Sequence, residues 1–344
     1  MDMYRGDGRH RLKIFNDLDT VHDPSRGCVL AVGNFDGVHR GHQLIFKTAL
    51  SRAREERLRS VLLTFTSHPA AVISPDMTPE PLMTVRDRLL IAEGFGFDEA
   101  YVLDFDMQMA SLSPGDFVEG VLVQRLGIKA LVAGEGWRFG HRREGDMTML
   151  SSFGLHRGFE VLAVDPFLVD GLPVSSTRIR GALAACDVVE AGKLLGRPHF
   201  VRGTVVKGIG RGRKLGFPTV NLDCHNIQVP GEGVYAGGYR MVEIPGGKGS
   251  NRGETARSQE SIAGPAAISI GTSPTFGNGT FAVEAHLIGW DRNLYGATVT
   301  IAFLQRLREQ HSFARAEELA DQIARDVERS REFFSFHDFE EIPF

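Results

Sequence analysis

Short apolar runs alternate with amphipathic stretches over the first half of the chain. Cys28 to Gly33 reads as a buried strand, and His42 to Leu58 carries Leu44, Ile45, Ala49 and Ala53 at the spacing of one helix face. Val61 to Phe65 is a second predicted strand, Val85 to Glu93 a helix, and Ala100 to Leu103 a third strand. Ser113 opens the next helix, with Pro114 in the first turn, where its missing N–H costs nothing. Lys129 to Ala133 and Glu160 to Val164 supply two further strands. Strands alternating with helices predict a doubly wound parallel sheet covered on both faces. Ligands of such sheets bind beyond the carboxyl ends of the strands, which directs attention to the loops after Val32, Phe65 and Ala133.

The texture changes after a helical connector from Arg180 to Arg197. Val201–Val206, Gly233–Met241, Ala266–Ile270, Phe281–Ile288 and Thr298–Phe303 are short strand-like segments separated by Gly, Pro and Asn. They predict a small antiparallel β-barrel. Residues 245 to 259, rich in Gly, Ser and charge, read as a surface loop. A terminal helix runs from Ala314 to Arg331, with Leu319, Ile323 and Val327 on one face. The expected organisation is a first domain over 1–181, a linker over 182–198 and a second domain over 199–344, an α/β unit followed by a β unit.

Composition narrows the function classes. The 344 residues are 42% apolar and 24% charged with a net charge of −4, ordinary for a globular protein and unlike a nucleic-acid coat. The 40 glycines have no period, which favours turns and phosphate-cradling loops over a repeat. Cys28, Cys186 and Cys224 lack zinc or disulfide spacing and are expected as buried reduced thiols. No signal core or long apolar run is present, so a cytoplasmic protein without membrane or nucleic-acid partners is expected.

The loop after the first strand, Gly33-Asn34-Phe35-Asp36-Gly37-Val38-His39-Arg40-Gly41-His42, carries candidate chemistry. A helix N-terminus offers free N–H groups and a positive dipole end to an anion, and two histidines three apart share a face there. Gly33, Gly37 and Gly41 permit close backbone approach. Far along the chain, Ser175, Ser176, Thr177, Arg178 and Arg180 gather hydroxyls and cations suited to a polyphosphate. Either motif alone also fits a tight turn, or an N-cap with surface arginines. Together they resemble the two signatures of the H-x-G-H nucleotidyl transferase superfamily, a Rossmann-like fold. Thr64 to Pro69, Ser111 to Pro114 with Phe117, and Gly134 to Gly140 further resemble the FAD synthetase domain of bacterial bifunctional flavin enzymes. That resemblance implies phosphate contacts from Gly33, Asn34, Phe35, Gly37, Gly41 and the Ser175–Arg180 segment. It implies flavin contacts from Trp137, Arg138, Phe139 and Gly140. His39 and His42 would stabilise charge on the α-phosphate, with Arg178 and Ser176 on the leaving group. Thr66 and Gly136 depart from the family, which has Asn or Asp at both positions, so adenylyl transfer or substrate preference is expected to be altered.

The run from Val206 to Asn221 is basic and glycine-rich, yet matches neither a Walker A loop nor G-x-G-x-x-G. Without interleaved aromatics it suits a loop of amides and cations over ATP phosphates better than nucleic acid. It closely resembles the riboflavin kinase signature, G-x-x-x-G-x-x-L-G-F-P-T-x-N. Gly233–Gly237, Ile270–Phe276, Val283–Leu287, Leu294–Gly296 and Leu307–Arg308 resemble that family's later segments. The resemblance implies Mg2+ on Thr219 and Asn221, and phosphates on Lys207, Gly208, Gly210, Arg213, Lys214, Gly216 and Pro218. It makes Glu284 the general base and Trp290 a candidate wall at the flavin edge. The expected activity is phosphorylation of riboflavin to FMN and then adenylyl transfer to give FAD, with ATP as co-substrate in a monomer or weak homo-oligomer. Three rivals stay open: a kinase with a degenerate first domain, a non-catalytic flavin-binding regulator, and another H-x-G-H transferase.

Overall fold

A computed structural model describes residues 11–19, 24–67, 70–73, 75–208, 210–224, 226–243, 262–272 and 281–335. The chain divides into two compact units between Ser176 and Thr177. Predictions on His68, Pro69, residues 245–259 and residues 273–276 lie outside the described residues.

In the first unit, strands β1 (Lys13–Phe15), β2 (Cys28–Val32), β3 (Arg59–Phe65), β4 (Glu99–Leu103), β5 (Ile128–Gly134) and β6 (Glu160–Val164) form one parallel sheet in the order β1-β4-β3-β2-β5-β6. Burial follows this order. All five residues of central β2 are buried, which is why the run reads as continuously apolar, whereas edge strand β6 keeps only Val164 buried. The chain leaves β2 toward β3 and β4 on one side and returns through β5 on the other. The crevice where direction reverses therefore lies beyond Val32 and Gly134. Arg40–Glu56 and Val85–Phe95 are helices, both ended by a left-handed residue, Arg57 and Gly96.

Four features correct the sequence reading. Lys13–Phe15 adds an edge strand, paired with Glu99–Tyr101, that its three residues are too few to announce. Met147–Arg157 is a helix, capped by the Asp146 carboxylate. The predicted connector is two helices, Ser176–Ala184 and Val188–Leu195, parted at Cys186, whose φ is 62°. Of the cysteines only Cys28 is buried; Cys186 and Cys224 are half-buried, and all three are free. After β6 comes a small hairpin, β7 (Leu168–Val169) with β8 (Leu172–Pro173).

In the second unit β9 (His199–Val206), β10 (Val220–Asp223), β11 (Gly233–Glu243), β12 (Ala263–Thr272), β13 (Phe281–Leu287) and β14 (Thr298–Arg308) close an antiparallel barrel in the order β10-β13-β12-β11-β14-β9. Strand β10 was hidden in the sequence, because its four residues straddle the end of the glycine-rich run. It completes the ring by pairing with both β9 and β13. The terminal helix, Ala316–Ser335, packs on β11, β12 and β14. Its buried Asp326 accepts from Nε and Nη2 of Arg308 at 3.0 and 2.8 Å, so the one charged group on its inner face is paired.

Candidate functional site

The loop after β2 is wound tightly. Phe35, Gly37 and Val38 have φ of 49°, 83° and 38°, and a β-branched residue at positive φ stores strain of roughly 1–3 kcal/mol. Packing overrides that cost. Phe35 is 1% exposed and lies edge-on to Phe46 and His42, and the Gln43 amide donates to the Val38 carbonyl at 2.9 Å. The loop is tied down elsewhere as well. Thr64 Oγ1 donates to the Asn34 carbonyl at 3.2 Å, the Asp36 carboxylate accepts from the Leu82 amide at 2.9 Å, and Ser176 Oγ donates to the Asp36 carbonyl at 2.9 Å. The two signatures recognised far apart in sequence thus meet through Ser176.

His39 is the N-cap of the helix it was expected to precede. Its Nδ1 accepts from the His42 N–H at 3.3 Å, which ties the ring to the first turn of the helix. The His42 ring stacks on that of His39 at 3.6 Å. Gly41 makes this possible, since a Cβ there would stand 3.2 Å from the His39 ring. Burial, then His39, then Arg88 hold His42 well below the usual histidine range, so it is neutral at pH 7. His42 Nδ1 and Asn34 Oδ1 are buried without a hydrogen-bond partner among the described residues. Such atoms carry a desolvation cost that an incoming ligand would offset.

The Gly134–Gly140 turn stands at the end of β5. Trp137 and Phe139 stack at 4.8 Å and pack with Phe117. A Cβ on Gly140, whose φ is 72°, would fall 2.7 Å from the Pro114 nitrogen, so glycine is what brings the turn against the Ser111–Pro114 segment. Arg138 is paired with Asp146 at 2.9 Å and Arg178 with Glu190 at 2.6 Å, so both cations are already engaged. Thr177 and Arg180 share the helix of Arg178, and Ser175 immediately precedes it. Thr66 donates to Asp104 at 2.8 Å, and Gly136 faces open space. A 500 Å3 cleft lined by Lys13, Arg26, Arg57, Arg59, Asp98 and Glu99 lies at the amino ends of the strands, the wrong end for these loops.

Sequence reading missed Arg88. It is 4% exposed on the helix Val85–Phe95, and its Nη1 donates to Thr64 Oγ1 at 2.8 Å and to the Phe65 carbonyl at 3.0 Å. The available signal was a basic residue at helical spacing with buried Ile91 and Ala92.

In the barrel, Asn221 on β10 lies directly opposite Glu284 on β13, and Glu284 directly opposite Ser269 on β12. Opposed residues have side chains on one face about 5 Å apart. Asn221 is 5% exposed beneath Gly208, where a Cβ would stand 2.1 Å from its amide nitrogen. A Cβ on Gly212 would stand 2.4 Å from the Phe217 carbonyl and 3.1 Å from Thr219 Oγ1. The loop thus rests its backbone on both predicted metal-binding residues. Gly210 and Gly216, at φ of 75° and 84°, turn the chain around the short helix Arg211–Lys214. Lys207 and Arg213 are exposed on that loop. The His286 ring meets the Pro218 carbonyl at 2.8 Å and Phe217 edge-on, closing the loop onto β13. Trp290 sits in the turn after β13, its Nε1 donating to the Arg292 carbonyl at 3.1 Å.

Comparison with known proteins is decisive at this point. The family model for FAD synthetase matches residues 21–178, and that for riboflavin kinase matches residues 195–334. The bifunctional riboflavin kinase/FMN adenylyltransferase of Escherichia coli K12 is 35% identical over 311 residues, 90% of this chain and 94% of the relative. The chain belongs to that family. The Pseudomonas fluorescens member is 36% identical over 321 residues, 93% and 97% of the two chains. A crystal structure described as a macrolide-efflux protein from Streptococcus pneumoniae is also similar, with a TM-score of 0.78 and 31% identity over 92% of this chain and 98% of that one. Among the described residues no helix of this family member is long and apolar enough to cross a membrane.

Proposed function

We infer that the second unit transfers the γ-phosphate of ATP to riboflavin, and that the first transfers AMP from a second ATP to the resulting FMN, releasing pyrophosphate. The observation that carries the reading is the juxtaposition of Asn221 with Glu284 beneath Gly208. Phosphorylating an alcohol requires a carboxylate for the hydroxyl proton and polar oxygens for the nucleotide on one surface, and this is such a surface.

In the barrel, Glu284 accepts the proton of the riboflavin ribityl hydroxyl as the oxygen attacks. The amides of the 207–216 loop, with Lys207, Arg213 and Lys214, gather the phosphates. Thr219 and Asn221 fit Mg2+, being hard oxygen donors of which one is buried beside a glycine cradle. When bound, Mg2+ neutralises phosphate charge.

In the first unit, the strained loop and the helix N-terminus at Arg40 receive the nucleotide phosphates. His39 and the His42 ring stabilise charge building at the α-phosphorus, while Ser176 holds the loop against them. Arg178, expected on the leaving group, is held by Glu190 at 2.6 Å. Trp137 and Phe139 offer the flavin an aromatic edge. The reading places the enzyme in the cytoplasm, where ATP and riboflavin meet, with these small molecules as its partners.

The deciding test incubates the protein with riboflavin, ATP and Mg2+ and separates riboflavin, FMN and FAD over time. FMN followed by FAD is expected. Glu284→Gln should lower FMN formation about 100-fold or more while leaving FAD formation from added FMN intact. FMN without FAD would reduce the protein to a kinase, and no FMN would refute the reading.

A further inference from the structure

Arg88 is a buried cation that the reading above does not use. Its guanidinium joins three elements. Through Nη1 it holds the end of β3 by both the Thr64 hydroxyl and the Phe65 carbonyl. Thr64 in turn donates a hydrogen bond to the Asn34 carbonyl, in the loop after β2. The charge of Asp36 favours the cation, and Asp36 also accepts from the Leu82 amide, three residues before the helix that carries Arg88. Burial lowers Arg88 to about 10, which still leaves it protonated at neutral pH. A charge kept at this depth costs several kcal/mol unless its partners repay it, and an apolar side chain would serve packing alone as well. Its Nε finds no partner among the described residues, so the site is not arranged to satisfy the guanidinium fully.

We propose that Arg88 is a positioning residue of the adenylyl-transfer site, locking the strained loop after β2 to the end of β3. The proposal rests on the assignment of adenylyl transfer to the first unit. Arg88 touches no substrate itself. Its first role is mechanical: the relay from guanidinium to Thr64 to Asn34 fixes the backbone that carries Phe35 and Val38 at positive φ. Its second is electrostatic. The groups facing His42 are the stacked His39 on its own helix, Arg88 on the helix Val85–Phe95, and the uncharged Phe35 of the loop; Asp36 faces Arg88. Burial first of all, then the stacked His39 and the Arg88 charge, keep His42 neutral until phosphate charge arrives. Removing the Arg88 charge raises the pH at which His42 titrates.

The test uses the full chain as wild type, Arg88→Met, Arg88→Lys and Thr64→Val. FAD formation from FMN and ATP is followed for kcat, KM and pH dependence, riboflavin phosphorylation in the same preparation measures the amount of intact second unit, and NMR of labelled histidine follows His42 and the fold of the first unit. Arg88→Met should lose about 100-fold in kcat for FAD formation, the cost of loosening reacting groups by about 1 Å. Its His42 titration should move up, carrying the acid limb of the pH profile with it. Arg88→Lys, which keeps the charge, should leave the His42 titration low and recover part of kcat. Thr64→Val should lower kcat without moving His42, separating the mechanical role from the electrostatic one. If Arg88→Met disrupts the first unit, Arg88→Lys and Thr64→Val decide. A kcat within about threefold of wild type in both Arg88→Met and Thr64→Val would overturn the proposal, and an unmoved His42 titration in Arg88→Met would remove its electrostatic half. Should the wild type make no FAD, the functional assignment fails, while the His42 titration still judges the role of Arg88.

Discussion

Replacing Gly208 by alanine tests the kinase site at its tightest point. A Cβ built on Gly208 lies 2.1 Å from Asn221 Nδ2 and 2.6 Å from its Cγ. Ordinary contact begins at about 3.4 Å, so the amide must retreat by about 1.3 Å or the loop must lift by as much. The Asn221 backbone does not yield, because β10 is hydrogen-bonded to β9 on one side and β13 on the other. Either movement separates the loop from the surface shared by Asn221 and Glu284. A displacement of about 1 Å at reacting groups costs roughly 100-fold in rate, whereas overpacking costs stability only about 1–3 kcal/mol. Gly208→Ala should therefore stay folded and lose about two orders of magnitude in riboflavin phosphorylation.

The assay measures FMN from riboflavin, and separately FAD from supplied FMN, on one preparation. The second rate should be unchanged, since the first unit does not contain Gly208. Gly210→Ala is the matched control: its Cβ would meet nothing within 4 Å, and it pays only the strain of an alanine at φ 75°. It should lose far less. Phosphorylation by Gly208→Ala within about threefold of wild type would refute the idea that backbone contact between this loop and Asn221 positions the phosphates.

Three other outcomes follow from the packing. Asp326→Ala strands Arg308 at the barrel wall and should lower stability by about 3 kcal/mol, read as a lower melting temperature; an unchanged melt would mean the helix is held by apolar contacts alone. His199, buried and donating to the Gln228 carbonyl at 2.9 Å, is pushed down to about 4, first of all by burial. A depressed histidine contributes stability that is complete above pH 6.5 and lost as pH falls toward 4, on the order of 3 kcal/mol in all; His199→Gln should flatten that acid limb, and an identical pH–stability curve would exclude the site. Gly136→Asn enters open space, so the melt should not move while KM for FMN in FAD formation falls; an unchanged KM would show that flavin binding does not depend on a side chain there.

What the sequence disclosed about the fold depended on how far each element's character is local. Strand β2 announces itself because every residue is buried, and the helix Arg40–Glu56 because one face is. Strands β1 and β10 do not, since three or four residues carry no period and each exists through its partner: Glu99–Tyr101 for one, β9 and β13 for the other. The break at Cys186 is similarly a left-handed residue of a type that does not advertise one.

The sites divide along the same line. Gly140, Gly208 and Gly212 were legible as motif positions, and the structure supplies the close contact that a side chain at each would make. The Arg88–Thr64–Asn34 relay and the Arg178–Glu190 pair were not legible, since any of several long polar side chains satisfies the local pattern and only the fold selects the partner. The distinction bears on Thr66 and Gly136. Each breaks a motif, yet Thr66 has gained the Asp104 carboxylate at 2.8 Å and Gly136 is crowded by nothing. Neither substitution disturbs the loop after β2, the His39–His42 stack or the Ser176 bond to Asp36. If adenylyl transfer depends chiefly on positioning the phosphates, as in-line displacement requires, these departures should alter how flavin binds and leave the chemical step in place.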